Sequence, residues 1–254
     1  MPQPIHTARI SQKWNYCPLE NNMTKRINLI LNGKGGVGKS FFAVNFVQFL
    51  KDRNIEYSAY DCDNENSTLK RFHADVEFFN LEGRRALDPI FRSLEKSDLV
   101  VVDCRAASTG VFFNYFDVIE LRPTLQELAA DLTVIVPVNH ETDSVDQLQR
   151  LVNKLGDACS YVVLRNQVHD ETFTLYDQSV IRQRLQKDLR AREITMTKLQ
   201  PFLVEELSLN NLTITPAIQD GRLHLLDRRR LQTWQRKLYT EIESAAELLL
   251  PVES

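Results

Sequence analysis

The segment Gly33-Lys34-Gly35-Gly36-Val37-Gly38-Lys39-Ser40 constrains this chain more than any other, because few folds can present it. It follows a short apolar run, Ile27–Leu31, that reads as a strand. It opens a longer run, Lys39–Arg53, that reads as a helix with Phe42, Ala43, Phe46, Val47 and Leu50 on one face. A glycine-rich turn between strand and helix lets backbone N–H groups converge on phosphate oxygens, and the helix N-terminus adds positive potential. Four of the chain's eight glycines sit here, where the main chain must approach a ligand closely. Lys39 is placed to reach β- and γ-phosphates, and the Ser40 hydroxyl to ligate Mg²⁺. Phe41, the next residue, joins the loop as a nucleotide contact. Gly-Lys-Ser in full, with these flanks, favours a phosphate loop over a ligand-free glycine turn.

The rest of the chain supplies a matching scaffold. Short apolar runs at Ile55–Tyr60, Asp98–Val102, Leu132–Val136, Tyr161–Leu164 and Ile194–Thr197 alternate with longer amphipathic stretches. The Leu99-Val100-Val101-Val102 run suits a strand buried on both faces. Strands alternating with helices predict an α/β fold, a doubly wound and mostly parallel sheet. A chain of 254 residues is long enough for one large α/β core and short for two full domains. Near the end, Leu231, Trp234, Leu238, Ile242, Ala245 and Leu249 recur at helical spacing, a stripe expected to pack on the body of the domain. Glu241, Glu243 and Glu247 beside it argue against a membrane-surface helix.

Residues 1–22 mix Pro, Gln and Asn without periodicity. They read either as a disordered arm or as sequence upstream of a true start at Met23, with 23–254 forming a single domain. No apolar run is long enough to span a membrane, and the first residues lack a signal core. Cys17, Cys62, Cys104 and Cys159 are far apart without CxxC spacing, which reads as reduced cysteines in a cytoplasmic protein. A formal net charge of −3 gives the whole molecule no general attraction for nucleic acid or anionic membrane.

Lys34 departs from a plain phosphate loop, and with it the sequence resembles the ParA/MinD/nitrogenase-reductase class, whose loops read KGGxGK[ST]. In that class the first lysine crosses to the partner subunit's nucleotide, so the resemblance implies a homodimer closed by ATP and Mg²⁺. A cation supplied across an interface stabilises charge on transferring phosphoryl oxygens only when two monomers meet, which ties hydrolysis to assembly. The class has a DxD after its second strand, matched here by Asp61 and Asp63. The resemblance implies that Asp63 orients the attacking water and that Asp61 supports the Mg²⁺ water shell or the loop. Asp103 ends the third apolar run at the Walker B position, where a carboxylate can hold Mg²⁺ directly or through water. Asn166 follows the Tyr161–Leu164 run; the class uses such an Asn to read adenine, and a turn Asn is the alternative. After Asp103 the class often has a proline-containing second switch, whereas this chain has Cys104-Arg105-Ala106-Ala107-Ser108-Thr109-Gly110.

A narrower resemblance, to TraL-type proteins of plasmid conjugal transfer regions, rests on residues 31–40, on Asp61-Cys62-Asp63-Asn64-Glu65-Asn66-Ser67-Thr68, and on Leu212-Thr213 and Asp227-Arg228-Arg229-Arg230-Leu231. It implies an accessory ATPase acting on plasmid DNA or on a transfer or partition protein. Arg182, Arg184, Lys187, Arg190 and Arg192 are expected within one helix, and Arg228, Arg229, Arg230, Arg236 and Lys237 at the start of the last. They read either as DNA contacts doubled by dimerisation or as solvated faces balanced by acids. Two other functions fit the motifs: a metabolic or redox enzyme of the same class, and a scaffold that binds nucleotide without hydrolysing it.

Overall fold

Alternate residues of the central strands face opposite ways, and here both sides are apolar, so helices must cover both. The computed structural model describes residues 23–64, 66–83, 85–168 and 172–253. The expected N-terminal arm, with Cys17, lies outside them. Among the described residues eight strands are formed: β1 (Met23–Ile30), β2 (Ser58–Asp61), β3 (Glu77–Phe78), β4 (Leu99–Asp103), β5 (Ala130–Val138), β6 (Ser160–Asn166), β7 (Ala191–Met196) and β8 (Val252–Glu253). Seven run parallel in the order β3-β2-β4-β1-β5-β6-β7. The short β8 pairs antiparallel with Met23 and Thr24 at the start of β1. This is the doubly wound, mostly parallel α/β sheet expected from the sequence.

One face carries Ile27, Leu29, Val100, Val102, Leu132 and Val134, packed with Phe112 and Phe116 of the helix Thr109–Val118 and Leu148 and Leu151 of the helix Thr142–Leu155. The other carries Ile30, Leu99, Val101, Ile135, Val162 and Ile194 against the helix Lys39–Asp52 and the long helix Leu225–Ser244. The helix after the glycine loop is buried nearly all round, not along the single expected face. Its second side is covered by the long helix: Phe49 meets Tyr239 edge-on at 5.0 Å, and Phe41 meets Trp234 at 5.6 Å. The expected stripe from Leu231 to Leu249 is buried throughout, although the helix breaks at Ala245.

Polar residues inside β1 and β5 have a tertiary cause. Arg26 donates to the carbonyl of Glu247 and pairs with Asp131, each at 3.1 Å. Asn28 donates to the Leu249 carbonyl at 2.7 Å, and the Thr133 hydroxyl to that of Leu248. Together they dock residues 247–249 over the middle of the sheet and satisfy carbonyls left free at a helix end. Among the described residues, no helix is long and apolar enough to cross a membrane.

Candidate functional site

The carboxyl ends of β1, β2 and β4 open into a cleft of about 560 Å³. It is lined by Gly35, Gly36, Gly38, Lys39, Ser40 and Phe41 on one side, and by Asp63, Asn64, Asn66, Thr68, Cys104 and Arg105 with Ala106 and Ala107 on the other. Ligand sites of parallel sheets sit at such carboxyl edges.

The glycine loop is clamped at both ends. Asn32 is buried and donates to Pro137 O at 2.8 Å and Ser144 O at 3.1 Å, while its oxygen accepts from Lys34 N at 2.9 Å. At the far end Asn166 donates to Val37 O at 2.9 Å and accepts from Val168 N at 3.2 Å. Both ends of the Asn166 amide are thus used in holding the loop and the turn after β6. One glycine is dictated by this packing. A Cβ on Gly38 would lie 2.3 Å from Asn166 Nδ2, whereas one on Gly33 would meet only the movable end of the Gln147 side chain. Gly38 also has φ +94°, in the left-handed region.

Lys39 is buried, its amine donating to Lys34 O at 2.9 Å. Burial pushes that amine below the usual lysine range, against the upward pull of Asp103, Cys104 and Asp63. Lys34 points the other way, its amine 3.2 Å from Asp143 and 3.3 Å from Glu141, and these acids hold its pKa up. Neither acid stood out in the sequence, since they lie more than 100 residues from the loop.

Asp103 is buried at the end of β4, and neither carboxylate oxygen has a hydrogen bond of normal geometry. Burial pushes its pKa up to about 7, with Asp61 and Asp63 acting in the same sense and the nearby Ser40 hydroxyl and Lys39 opposing them. An orphaned carboxylate beside a serine hydroxyl is a donor set that suits a hard cation. Among the described residues, no cluster of three His, Cys, Asp or Glu side chains could hold a metal alone. A cation at Ser40 and Asp103 would therefore draw further oxygens from water and phosphate, as Mg²⁺ does in phosphoryl-transfer sites.

Asp61 and Asp63 divide their work. Asp61 is buried and accepts from Asp63 N at 2.9 Å and Lys70 N at 3.0 Å. Burial raises its pKa while those amides oppose the rise. One oxygen thus holds the amide of Asp63 and the other that of Lys70. Asp63 faces the cleft, its carboxylate accepting at 3.3 Å from Asn66 N.

The two basic clusters differ. The helix Val180–Asp188 ends before Arg190, and Arg192 lies on the edge strand β7, so the first cluster is not one helical face. Its cations are largely committed: Arg182 to Glu193 at 2.8 Å, Arg190 to Asp131 at 3.5 Å, Arg192 to Glu247 at 2.5 Å. In the long helix Arg229, Arg236 and Lys237 are exposed, while Arg228 is half-buried and Arg230 pairs with Asp227. Cys62, Cys104 and Cys159 are buried free thiols, their pKa values raised by burial.

Comparison with known proteins gives the family and the fold. Residues 29–200, more than half of the chain, match the family described as CobQ/CobB/MinD/ParA nucleotide binding domain. Protein MobD of Acidithiobacillus ferrooxidans is 24% identical over 226 residues, covering 87% of this chain and 98% of that protein. Protein TraL of Escherichia coli is 25% identical over 241 residues, covering 88% and 99%. A structure of the MinC:MinD cell division protein complex from Aquifex aeolicus superposes with a TM-score of 0.53, at 16% identity and with 91% and 99% coverage, which supports the fold alone.

Proposed function

The chain belongs to the CobQ/CobB/MinD/ParA nucleotide-binding family, and from that premise we propose that it is an ATP-driven switch that dimerises around Mg·ATP and opens on hydrolysis. The observation that carries this reading is the convergence of Lys39, Ser40 and Asp63 on one cleft at the glycine loop, with the Asp103 carboxylate buried directly behind Ser40 and Lys39. The loop N–H groups from Gly33 to Gly38 receive the β-phosphate, and the Lys39 amine leaves the Lys34 carbonyl to bridge β- and γ-phosphates. Ser40 and Asp103 would hold Mg²⁺, which would neutralise charge on the phosphate oxygens. Asp63, on the segment that Asp61 organises, orients the attacking water. Lys34, released from Glu141 and Asp143, reaches the nucleotide of the second subunit.

Near-full-length similarity to proteins named TraL and MobD supports placing this switch in plasmid transfer or partition. Its partner there is DNA or a protein of that apparatus, met through the exposed Arg229, Arg236 and Lys237.

The test is equilibrium binding of Mg·ATP, Mg·ADP and Mg·GTP, followed by phosphate release. Wild type should bind adenine nucleotides and release phosphate slowly, and Lys39→Ala should lose binding. Equal binding by Lys39→Ala, or none by wild type, would overturn the assignment.

A further inference from the structure

Arg105 occupies the place where the resembled class often has a proline-containing segment, two residues beyond Asp103. Its side chain is half-buried and lines the cleft on the wall opposite the glycine loop. The base of this side chain is fixed. Ser108 Oγ donates to Arg105 O at 2.8 Å, and Ala107, at φ +58°, donates its N–H to Gly33 O at 3.1 Å. The loop after β4 is therefore bonded directly to the glycine loop. The tip is held far less firmly: Arg105 Nη1 donates to Asn64 Oδ1 at 3.3 Å, an exposed contact near the limit of a hydrogen bond. Among the described residues no carboxylate pairs with Arg105, whereas Lys34 is held by two acids.

The position of the tip matters. A chain of phosphates leaving the loop toward Lys39, Ser40 and Asp63, which line the same cleft, would place its terminal group near the carboxyl ends of β2 and β4. Arg105 leaves β4 at that end and reaches Asn64, the residue after Asp63. A guanidinium offers a planar fork of donors that matches phosphate oxygens, and a phosphate dianion is a far stronger acceptor than an amide oxygen.

We propose that Arg105 grips the terminal phosphoryl group in cis, exchanging its Asn64 contact for phosphate oxygens. It thereby discriminates triphosphate from diphosphate. The inference rests on the nucleotide-binding reading above. It adds a third side-chain cation to Lys39 of the same chain and the Lys34 assigned across the dimer.

Calorimetric titration of the full chain with Mg·ADP and with a non-hydrolysable ATP analogue tests it, using wild type, Arg105→Ala and Arg105→Lys. Arg105→Ala should weaken the analogue roughly 10- to 100-fold, the range of a charge-assisted hydrogen bond, with ADP affinity changed less than about 3-fold. Arg105→Lys should fall between, since it keeps the charge and loses the fork. Equal losses for both nucleotides, or no loss for either, with wild type binding both, would overturn the Arg105 role alone. Wild type binding neither nucleotide would sink the parent reading and this one with it. Circular dichroism of each variant confirms that a loss of binding is not a loss of fold.

Discussion

Asp103→Asn should make the nucleotide-free protein more stable at neutral pH while weakening its use of Mg²⁺. The carboxyl lies buried with both oxygens orphaned, and its pKa rises from an ordinary 3.8 to about 7. Between these values the folded protein binds more protons at this site than the unfolded chain does. Stability therefore falls as pH rises from about 4 to about 7 and stays low above. At about 1.4 kcal/mol per pH unit the shift corresponds to roughly 4 kcal/mol, an upper figure, because an asparagine there is also a buried polar group. Urea unfolding of wild type and Asp103→Asn from pH 5 to pH 8 isolates the effect. The variant should gain on wild type as pH rises to about 7, and Mg²⁺ should tighten ADP binding to wild type more than to the variant. A difference in stability that does not change with pH would refute the burial argument.

Two further outcomes follow from the loop geometry. Gly38→Ala must adopt a left-handed φ, costing about 1–2 kcal/mol, and must displace Asn166 from Val37 O, leaving a buried carbonyl unpaired for about 1–3 kcal/mol more. In an Asn166→Ala background only the first cost remains, so urea unfolding should give a non-additive double-mutant cycle; strict additivity would contradict the clamp. Glu141→Gln with Asp143→Asn should tighten ATP-dependent dimerisation by releasing Lys34, modestly because partly exposed ion pairs are weak. Sedimentation at several protein concentrations reads this, and weaker dimerisation would mean that the two acids serve the interface.

Much of the scaffold and the cleft was legible because both rest on local patterns. Leu99–Val102 announced a strand buried on two faces, and the eight residues from Gly33 to Ser40 announced a phosphate loop. What stayed hidden depends on contacts distant in sequence. Arg26 and Asn28 interrupt an apolar strand for the sake of carbonyls 221 residues away, and β8 has two residues and no periodicity to read. Likewise the two-residue β3 exists only because β2 pairs with it. Asn166 illustrates the limit within the site: the resemblance implies a base reader, a turn Asn is the alternative, and only the fold, which ends β6 at this residue, brings its amide onto Val37 O. Glu141 and Asp143 gain meaning only when β5 lies next to β1.

The central claim is that the third phosphate closes two copies of this chain. Light scattering coupled to size exclusion, without nucleotide, with Mg·ADP and with a slowly hydrolysed Mg·ATP analogue, tests it most directly. The account expects a monomer in the first two conditions, a dimer in the third, and a monomer throughout for Lys34→Ala. One unchanged mass in all three conditions, with nucleotide binding established, would contradict it.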